Sequence, residues 1–356
     1  KPPARGSQSR EKSDGNACQS RTQNRTRAKS SRAACVRPAI APLLLDSRMT
    51  APLKLPTRDP DGHKGTFGTV AIVGGCADSR SRMIGAPAIA ALAALRAGAG
   101  LARVLCPSPI LNDVISITPS ATGVALPTSA DGALIAHEAA EVFDLHTSSA
   151  DSIVIGPGLG WNPDPLDPLA EGTRAIVLRA ILHSDVPLVV DADALTALAS
   201  TPDFGRDFRA AAILTPHPGE HKRLASALSL PVAGEDDASR LAACESLARR
   251  VGCIVVLKGA GTVVSDGQQS WKCEHGHACL ATAGTGDVLS GLLGGLLAQH
   301  SKATARPRLS LFEVACIGVQ AHAMAGEFWA KANAQAGLVA GELADLLPTA
   351  LDKMRK

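Results

Sequence analysis

The stretch Ala281-Thr282-Ala283-Gly284-Thr285-Gly286-Asp287 runs directly into the apolar segment Val288-Leu289-Ser290-Gly291-Leu292-Leu293. Two glycines one residue apart strip side chains from the backbone, so its N–H groups can meet a ligand oxygen directly. Thr285 is a good N-cap for the periodic residues behind it, so the loop is expected to open a helix. Free N–H groups and the positive end of a helix dipole then converge on Gly284, Thr285 and Gly286, a setting suited to phosphate. Asp287 falls in the first helical turn. It can be a plain dipole-stabilising acid, or a base beside a transferring phosphoryl group. Spacing alone leaves both readings open.

Other residues with chemical potential follow short apolar runs. Ser152–Ile155 leads into Gly156-Pro157-Gly158-Leu159-Gly160, and Leu188–Val190 into Asp191-Ala192-Asp193-Ala194-Leu195. Ala212–Leu214 leads into Thr215-Pro216-His217-Pro218-Gly219-Glu220, and Ile254–Leu257 into Lys258-Gly259-Ala260-Gly261-Thr262. Each cluster also has an ordinary reading. The glycines can form tight turns, Asp193 can cap a helix over 193–199, and Glu220 can favour a dipole. Lys258 can pair with a buried carboxylate or meet a phosphate. His217 between two prolines suits ligand contact as well as a loop role.

Cys273, His275, His277 and Cys279 alternate at every second residue. Zinc sites usually draw on two separated ligand pairs, which this run lacks, so no metal site is expected there.

The elements that must hold these clusters are legible as a pattern. Thr69–Val73 is a strand-like run ending in Gly74-Gly75, Ala86–Ala97 an Ala/Leu helix, and Leu101–Leu105 a strand ahead of Pro107. The four apolar runs before the clusters are too short and too uniformly apolar for anything but strands buried on both faces. Helical patterns fill the intervals, notably 236–251 and 311–330. Alternation of this kind predicts an α/β fold with a mostly parallel sheet and helices on both faces. Ligands of such sheets bind beyond the carboxyl ends of the strands, so all the clusters are expected along one groove.

Composition narrows the function. The chain has 356 residues, 46% hydrophobic and 19% charged, as expected of a core-forming protein. Its net charge of +3 is misleading, because residues 1–48 hold eleven Lys/Arg against three Asp/Glu. The remainder is acidic, which argues against a nucleic-acid partner, as do aromatics at 3% and the absence of Tyr. Nine scattered Cys without a C-x-x-C pair fit reduced thiols and a cytoplasmic location. No apolar run approaches the length of a membrane span. Residues 1–50 are expected to be a disordered basic segment, either targeting or upstream of the true start at Met49, and 51–356 a single domain.

Assembled in order, these residues resemble the ADP-dependent (S)-NAD(P)H-hydrate dehydratases, a branch of the ribokinase-like superfamily. The resemblance covers roughly 62–330. It rests on Lys64-Gly65-Thr66-Phe67-Gly68, Gly85-Ala86-Pro87, Gly156 to Gly160, Asp191 to Leu195, Thr215 to Glu220, Lys258-Gly259 and Ala281 to Gly291. It implies a three-layer sandwich and an enzyme that returns the (S)-6-hydroxy hydrates of NADH and NADPH to NADH and NADPH. ADP, or ATP, is the implied co-substrate, with Mg²⁺ bridging its phosphates. Ala86, Gly158 and His217 would touch the hydrated nicotinamide nucleotide. Lys258, Gly259, Ala260, Gly261, Thr262 and Gly286 would hold the nucleotide together with Gly284 and Thr285, and Asp287 would face the substrate as catalytic base. The resemblance also implies a homo-oligomer, a tetramer in the family, and a separate, functionally coupled epimerase.

Cys273 and His277 stand where the family often has asparagines, so the contacts of that loop are the least transferable. Two other functions remain in view. One is an ATP-dependent kinase of a small hydroxylated vitamin precursor on the same fold. The other is a catalytically silent nucleotide-binding sensor, against which the presence of Asp287 weighs.

Overall fold

The computed structural model describes residues 53–355 apart from 165, 183–184, 207, 303–304 and 306. The segment expected to be disordered, 1–50, lies outside the described residues. The run Thr69–Val73 forms strand β1, followed by a small hairpin of β2 (Cys76–Asp78) and β3 (Ser81–Met83). Then come α1 (Gly85–Arg96), β4 (Leu101–Pro107), α2 (Leu111–Ile117), β5 (Thr122–Leu126) and α3 (Ala136–Thr147). The middle of the chain forms β6 (Ser152–Ile155), α4 (Pro168–Leu182), β7 (Leu188–Val190), α5 (Ala192–Ala199) and β8 (Ala212–Leu214). It continues through α6 (Pro218–Ala227), α7 (Asp237–Val251) and β9 (Ile254–Leu257). The last elements are β10 (Val263–Ser265), β11 (Ser270–Lys272), α8 (Thr285–His300), α9 (Leu311–Ala332) and α10 (Ala340–Arg355).

The main sheet has nine strands in the order β11-β10-β9-β8-β7-β6-β1-β4-β5. From β9 to β5 all neighbours are parallel, while β10 runs antiparallel to both β9 and β11. The chain winds outward from β1 to β4 and β5, then returns to the other side of β1 as β6. That reversal opens a crevice at the carboxyl ends of β1 and β6, where ligands of such sheets bind. The two strand ends are tied there by the Gly75 N–H, which donates to Pro157 O at 2.9 Å.

Alternate strand residues face two helix layers. Val70, Ile72, Val104, Val154, Val189, Ile213 and Val256 belong to one core with α1, α8, α9 and α10. Ala71, Val73, Ile153, Ile155, Leu188, Val190, Leu214 and Leu257 belong to the other, with helices from α3 to α7. Each fully buried Val, Leu or Ile contributes about 1.5–3 kcal/mol, which is why the central strands are apolar on both faces. Small residues bring α8 close to α1: a Cβ added at Gly291 would lie 2.1 Å from Ala90 O. This contact sets where the first turn of α8 meets the sheet.

Candidate active site

The loop after β6 passes directly beneath the end of β7. Gly156 has φ +124°, and a Cβ there would lie 1.8 Å from Asp191 O, so only glycine fits. Asp193 Oδ2 accepts the Gly160 N–H at 2.9 Å and joins the two loops a second time. Between the two aspartates Ala192 has φ +50°, a left-handed conformation that strains a residue bearing a Cβ. Helix α5 begins at Ala192, so Asp193 is not its N-cap. Asp191 occupies that position but makes no side-chain cap bond. Its carboxylate is committed elsewhere.

Its partner is Lys258 at the end of β9. Lys258 Nζ donates to Asp191 Oδ1 at 2.8 Å and lies 3.9 Å from Glu220 Oε2. Burial pulls the ammonium toward deprotonation, but Asp191, Glu220 and Asp287 outweigh it and hold its pKa above the ordinary lysine value. Burial pushes Glu220 up to about 7, against the opposing pull of Lys258. His217 caps α6: its Nδ1 accepts the N–H groups of Gly219 at 3.0 Å and Glu220 at 3.4 Å. Glu220 Oε2 in turn accepts the His217 N–H at 2.8 Å, completing a capping box. Burial and the charges of Lys258 and Arg223 lower the His217 pKa, which favours the neutral ring.

Helix α8 brings the remaining group. Its N-cap is Gly284, with φ +85°, and Thr285 is the first helical residue, so the helix starts one position earlier than the sequence pattern predicts. A left-handed N-cap selects glycine, and the Thr285 hydroxyl instead donates to Leu280 O and Thr282 O, both at 3.0 Å. His322 on α9 is linked through Nε2 to Thr285 O at 2.9 Å. Burial drives its pKa to about 4, so the ring is neutral and can act only as an Nε2–H donor to that carbonyl. A Cβ added at Gly286 would lie 3.6 Å from Lys258 Nζ, so the first turn of α8 faces the ammonium. Burial pushes Asp287 up to about 7; the charges of Asp191 and Asp193 add to this and Lys258 opposes it.

A cleft of about 820 Å³ opens beside these groups. Lys258, Gly259, Ala260, Gly261, Thr262, Thr285 and Gly286 all line it. Gly284 packs away from it, toward Ala340 and Ile89. Ala86 and Gly158 meet on the β1–β6 side, where a Cβ added at Gly158 would lie 3.1 Å from those of Ala86 and Met83. His217 does not line the cleft and is linked to Lys258 through Glu220. The segment after β11 forms the far wall, and its cysteine and histidine side chains are engaged. Cys273 Sγ points to His275 O at 3.6 Å, His275 Nδ1 lies 3.2 Å from Glu327, and His277 Nδ1 accepts the Cys279 N–H at 3.2 Å. Among the described residues no group of three or more His, Cys, Asp or Glu side chains is arranged to hold a metal ion. The seven described cysteines are free and buried.

Sequence reasoning singles out Asp191 and Glu220 as parts of motifs, reads Glu220 only as an acid that favours a helix dipole, and names neither as the partner of Lys258. Their position at the carboxyl ends of β7 and β8 was the available signal. It missed His322 altogether, since a polar residue within the apolar run of α9 carries no motif.

A sequence model of the NAD(P)H-hydrate dehydratase family matches residues 70–349. The chain is 36% identical over 315 residues to the ADP-dependent (S)-NAD(P)H-hydrate dehydratase of Neisseria meningitidis, covering 85% of this chain and 90% of that one. It spans about half the length of the bifunctional NAD(P)H-hydrate repair enzymes it matches. For the one from Moorella thermoacetica, identity is 34% over 305 residues, which is 85% of this chain and 53% of that protein. Among solved structures, the ADP/ATP-dependent NAD(P)H-hydrate dehydratase of Bacillus subtilis, co-crystallised with ATP/Mg²⁺, superposes with a TM-score of 0.66. That match has 29% identity and covers 85% of this chain and 95% of the other. A ribokinase-like protein from Enterococcus faecalis shares the fold, with a TM-score of 0.64 at 24% identity over 85% of this chain and 92% of that one. With its mostly parallel sheet between two helix layers, this chain has the ribokinase-like fold and belongs to the NAD(P)H-hydrate dehydratase family.

Proposed function

We propose that this chain dehydrates the (S)-6-hydroxy hydrates of NADH and NADPH, driven by ADP or ATP, with Asp287 as the base. The observation that carries this reading is the convergence of Asp287 with Lys258, whose charges interact, at the first turn of α8; Lys258 and Gly286 line the cleft, and Asp287 follows Gly286 directly. A proton acceptor poised near neutrality stands beside a buried ammonium and a helix N-terminus. Hydroxide is a poor leaving group, and phosphorylation makes the hydroxyl a good one. With ADP, the substrate hydroxyl attacks the β-phosphorus, Asp287 takes the hydroxyl proton, and AMP departs. The ring nitrogen then helps expel phosphate, a proton leaves the neighbouring carbon, and the ring double bond returns. Hydrate and ADP are thereby converted to NADH, AMP and phosphate.

In this reading the loop 258–262 and the N–H groups of Thr285 and Gly286 receive the nucleotide phosphates and stabilise the moving charge. Ala86 and Gly158 form the wall for the hydrated ring, and His217 lies between ring and phosphates. Asp191, Glu220 and Asp287 are oxygen donors of the kind Mg²⁺ takes in ones and twos beside phosphates. When bound, the ion would neutralise phosphate charge. A cytoplasmic homo-oligomer working with an epimerase for the other hydrate completes the proposal. No helix among the described residues is long and apolar enough to cross a membrane.

The test is recovery of NADH absorbance from the (S)-hydrate with ADP or ATP and Mg²⁺. Turnover with AMP and phosphate as co-products supports the reading. Binding of nucleotide with no NADH recovered would make the chain a sensor, and phosphorylation of a vitamin precursor in its place would make it a kinase.

A further inference from the structure

A second cleft, of about 540 Å³, opens at the amino ends of the strands, between residues 56–67, the last turn of α8 and the end of α10. It lies at the opposite end of α8 from Asp287, and that helix has 16 residues, or about 24 Å of length. Five side chains lining it can carry positive charge: Arg58, His63, His300, Lys302 and Arg355. The lining holds one carboxylate, Asp59, whose Oδ1 already accepts the Asp61 N–H at 3.0 Å. Convergence of like charge raises the free energy of the folded state unless something offsets it.

Local contacts offset part of it. Arg58 Nη1 donates to Gly98 O at 2.8 Å and to Gln299 Oε1 at 3.1 Å, and the guanidinium carbon stands 3.4 Å from the centre of the Phe67 ring. Lys302 Nζ lies 3.6 Å from Asp151, and Arg355 Nε donates to Pro56 O at 3.2 Å. These contacts fix the side chains without using them up. Among the described residues, the Nη groups of Arg355 and Nη2 of Arg58 have no hydrogen-bond partner. Nε2 of His300 is buried and likewise has none. Burial and the two guanidiniums hold the His300 pKa down to about 4, so the imidazole is neutral and has one N–H to give. Two guanidinium forks held in place are the arrangement that reads the oxygens of a phosphate in pairs. Pro56, Pro60 and Phe67 add an apolar wall, and the volume exceeds that of a bare anion and suits a small molecule.

We infer that this cleft is a second anion-binding site, which takes the phosphate or pyrophosphate group of a small molecule between Arg58, Arg355 and His300. It is separate from the groove at Lys258 and holds whether or not the proposed reaction does.

The test follows the histidine ring resonances by NMR while inorganic phosphate, pyrophosphate or AMP is titrated into the full chain, His300 being identified by its loss in His300→Gln. Because the readout is local to this end of α8, anion binding at the groove does not mimic it. Pyrophosphate is expected to shift the His300 and His63 signals saturably and more tightly than phosphate. AMP outdoing phosphate would assign the apolar wall to the ligand's organic part. Arg355→Gln keeps a donor for Pro56 O and should weaken pyrophosphate by about tenfold or more, with Arg355→Lys in between. The proposal fails if His300 does not respond to any of the three. It also fails if Arg355→Gln responds as the parent does, and the guanidiniums would then only serve the carbonyls of Gly98 and Pro56.

Discussion

Lys258 Nζ lies 2.8 Å from Asp191 Oδ1, and this bond joins the ends of β7 and β9 across residues that are 67 apart in sequence. Glu220 and Asp287 approach the same ammonium from α6 and α8. One buried cation among three carboxylates cannot neutralise them all. The excess appears as raised pKa values on Glu220 and Asp287, each about 7, where burial is the larger cause. A phosphoryl group entering beside Gly286 would meet an ammonium kept charged by Asp191 and an acid ready to exchange a proton.

Lys258→Met removes the cation and leaves the side chain of Asp191, 2% exposed, without its counter-ion. An uncompensated buried charge typically costs about 3–5 kcal/mol, so the variant should lose stability on that scale at pH 8 and less at pH 6. Adding Asp191→Asn should restore most of the stability while nucleotide binding stays weak. Urea unfolding of the single and double variants decides the point. Equal stability of Lys258→Met and its parent would show that the ion pair is not what joins the two strands.

The two glycines of the α8 loop should separate folding from binding. Gly284 has φ +85°, and an added Cβ would come 2.8 Å from that of Ala340, so Gly284→Ala should lose about 1–3 kcal/mol of stability. Gly286 is helical, and its nearest neighbour would be Lys258 Nζ at 3.6 Å, an ordinary contact. Gly286→Val should therefore fold, yet place methyl groups beside the ammonium and weaken ADP by about tenfold or more. Calorimetric titration of ADP and thermal melts of both variants test the contrast. Unchanged ADP affinity in Gly286→Val would remove this turn from the phosphate site.

Much of this geometry was legible because strands buried on both faces leave an unambiguous mark. Ser152–Ile155, Leu188–Val190, Ala212–Leu214 and Ile254–Leu257 are strands over the residues that their uniform apolarity delimits. Once they are parallel neighbours, the polar clusters behind them must share one edge. What stayed hidden depends on distances between separate elements. That Asp191 serves Lys258 and not its own helix follows from the strained turn at Ala192 and the registration of β7, β8 and β9. Strands of three residues such as β10 and β11 are too short to show a period, so the antiparallel edge behind the cleft left no trace. The N-cap moved from Thr285 to Gly284 because a left-handed residue can cap a helix by backbone shape alone.

Stability and activity should respond to pH in opposite directions. Asp287 binds its proton more tightly folded, at about 7, than unfolded, at about 3.8. The folded state then holds more protons than the unfolded one between those values, so this group lowers stability as pH rises from about 4 to 7. Relative to wild type, Asp287→Asn should gain on the order of 1–4 kcal/mol at pH 8 and nothing near pH 4. A base must be ionised to act, so kcat/KM should climb through about pH 7 and level off above it. The apparent midpoint belongs to Asp287 and Glu220 together, since both titrate in that range. A stability difference that does not vary with pH would give Asp287 an ordinary carboxyl and sever the link.

Asp287→Asn is also the decisive variant for the chemistry. Asparagine keeps the size of the side chain and its place in the first turn of α8, and it cannot accept a proton. A positioned base contributes roughly 10²–10⁴-fold, so single-turnover recovery of NADH from the (S)-hydrate should fall at least about a hundredfold. ADP affinity should hold or improve, because Lys258 and the N–H groups of the loop remain and one negative charge beside the phosphates is gone. The combination matters more than either result. Loss of both binding and turnover would point to a distorted loop, and loss of turnover with binding intact isolates the proton acceptor. Turnover within a few-fold of wild type at saturating ADP and Mg²⁺ would leave Asp287 as a carboxyl that merely favours the helix dipole. The base would then have to be sought in Glu220, the other acid beside Lys258 whose pKa lies near neutrality.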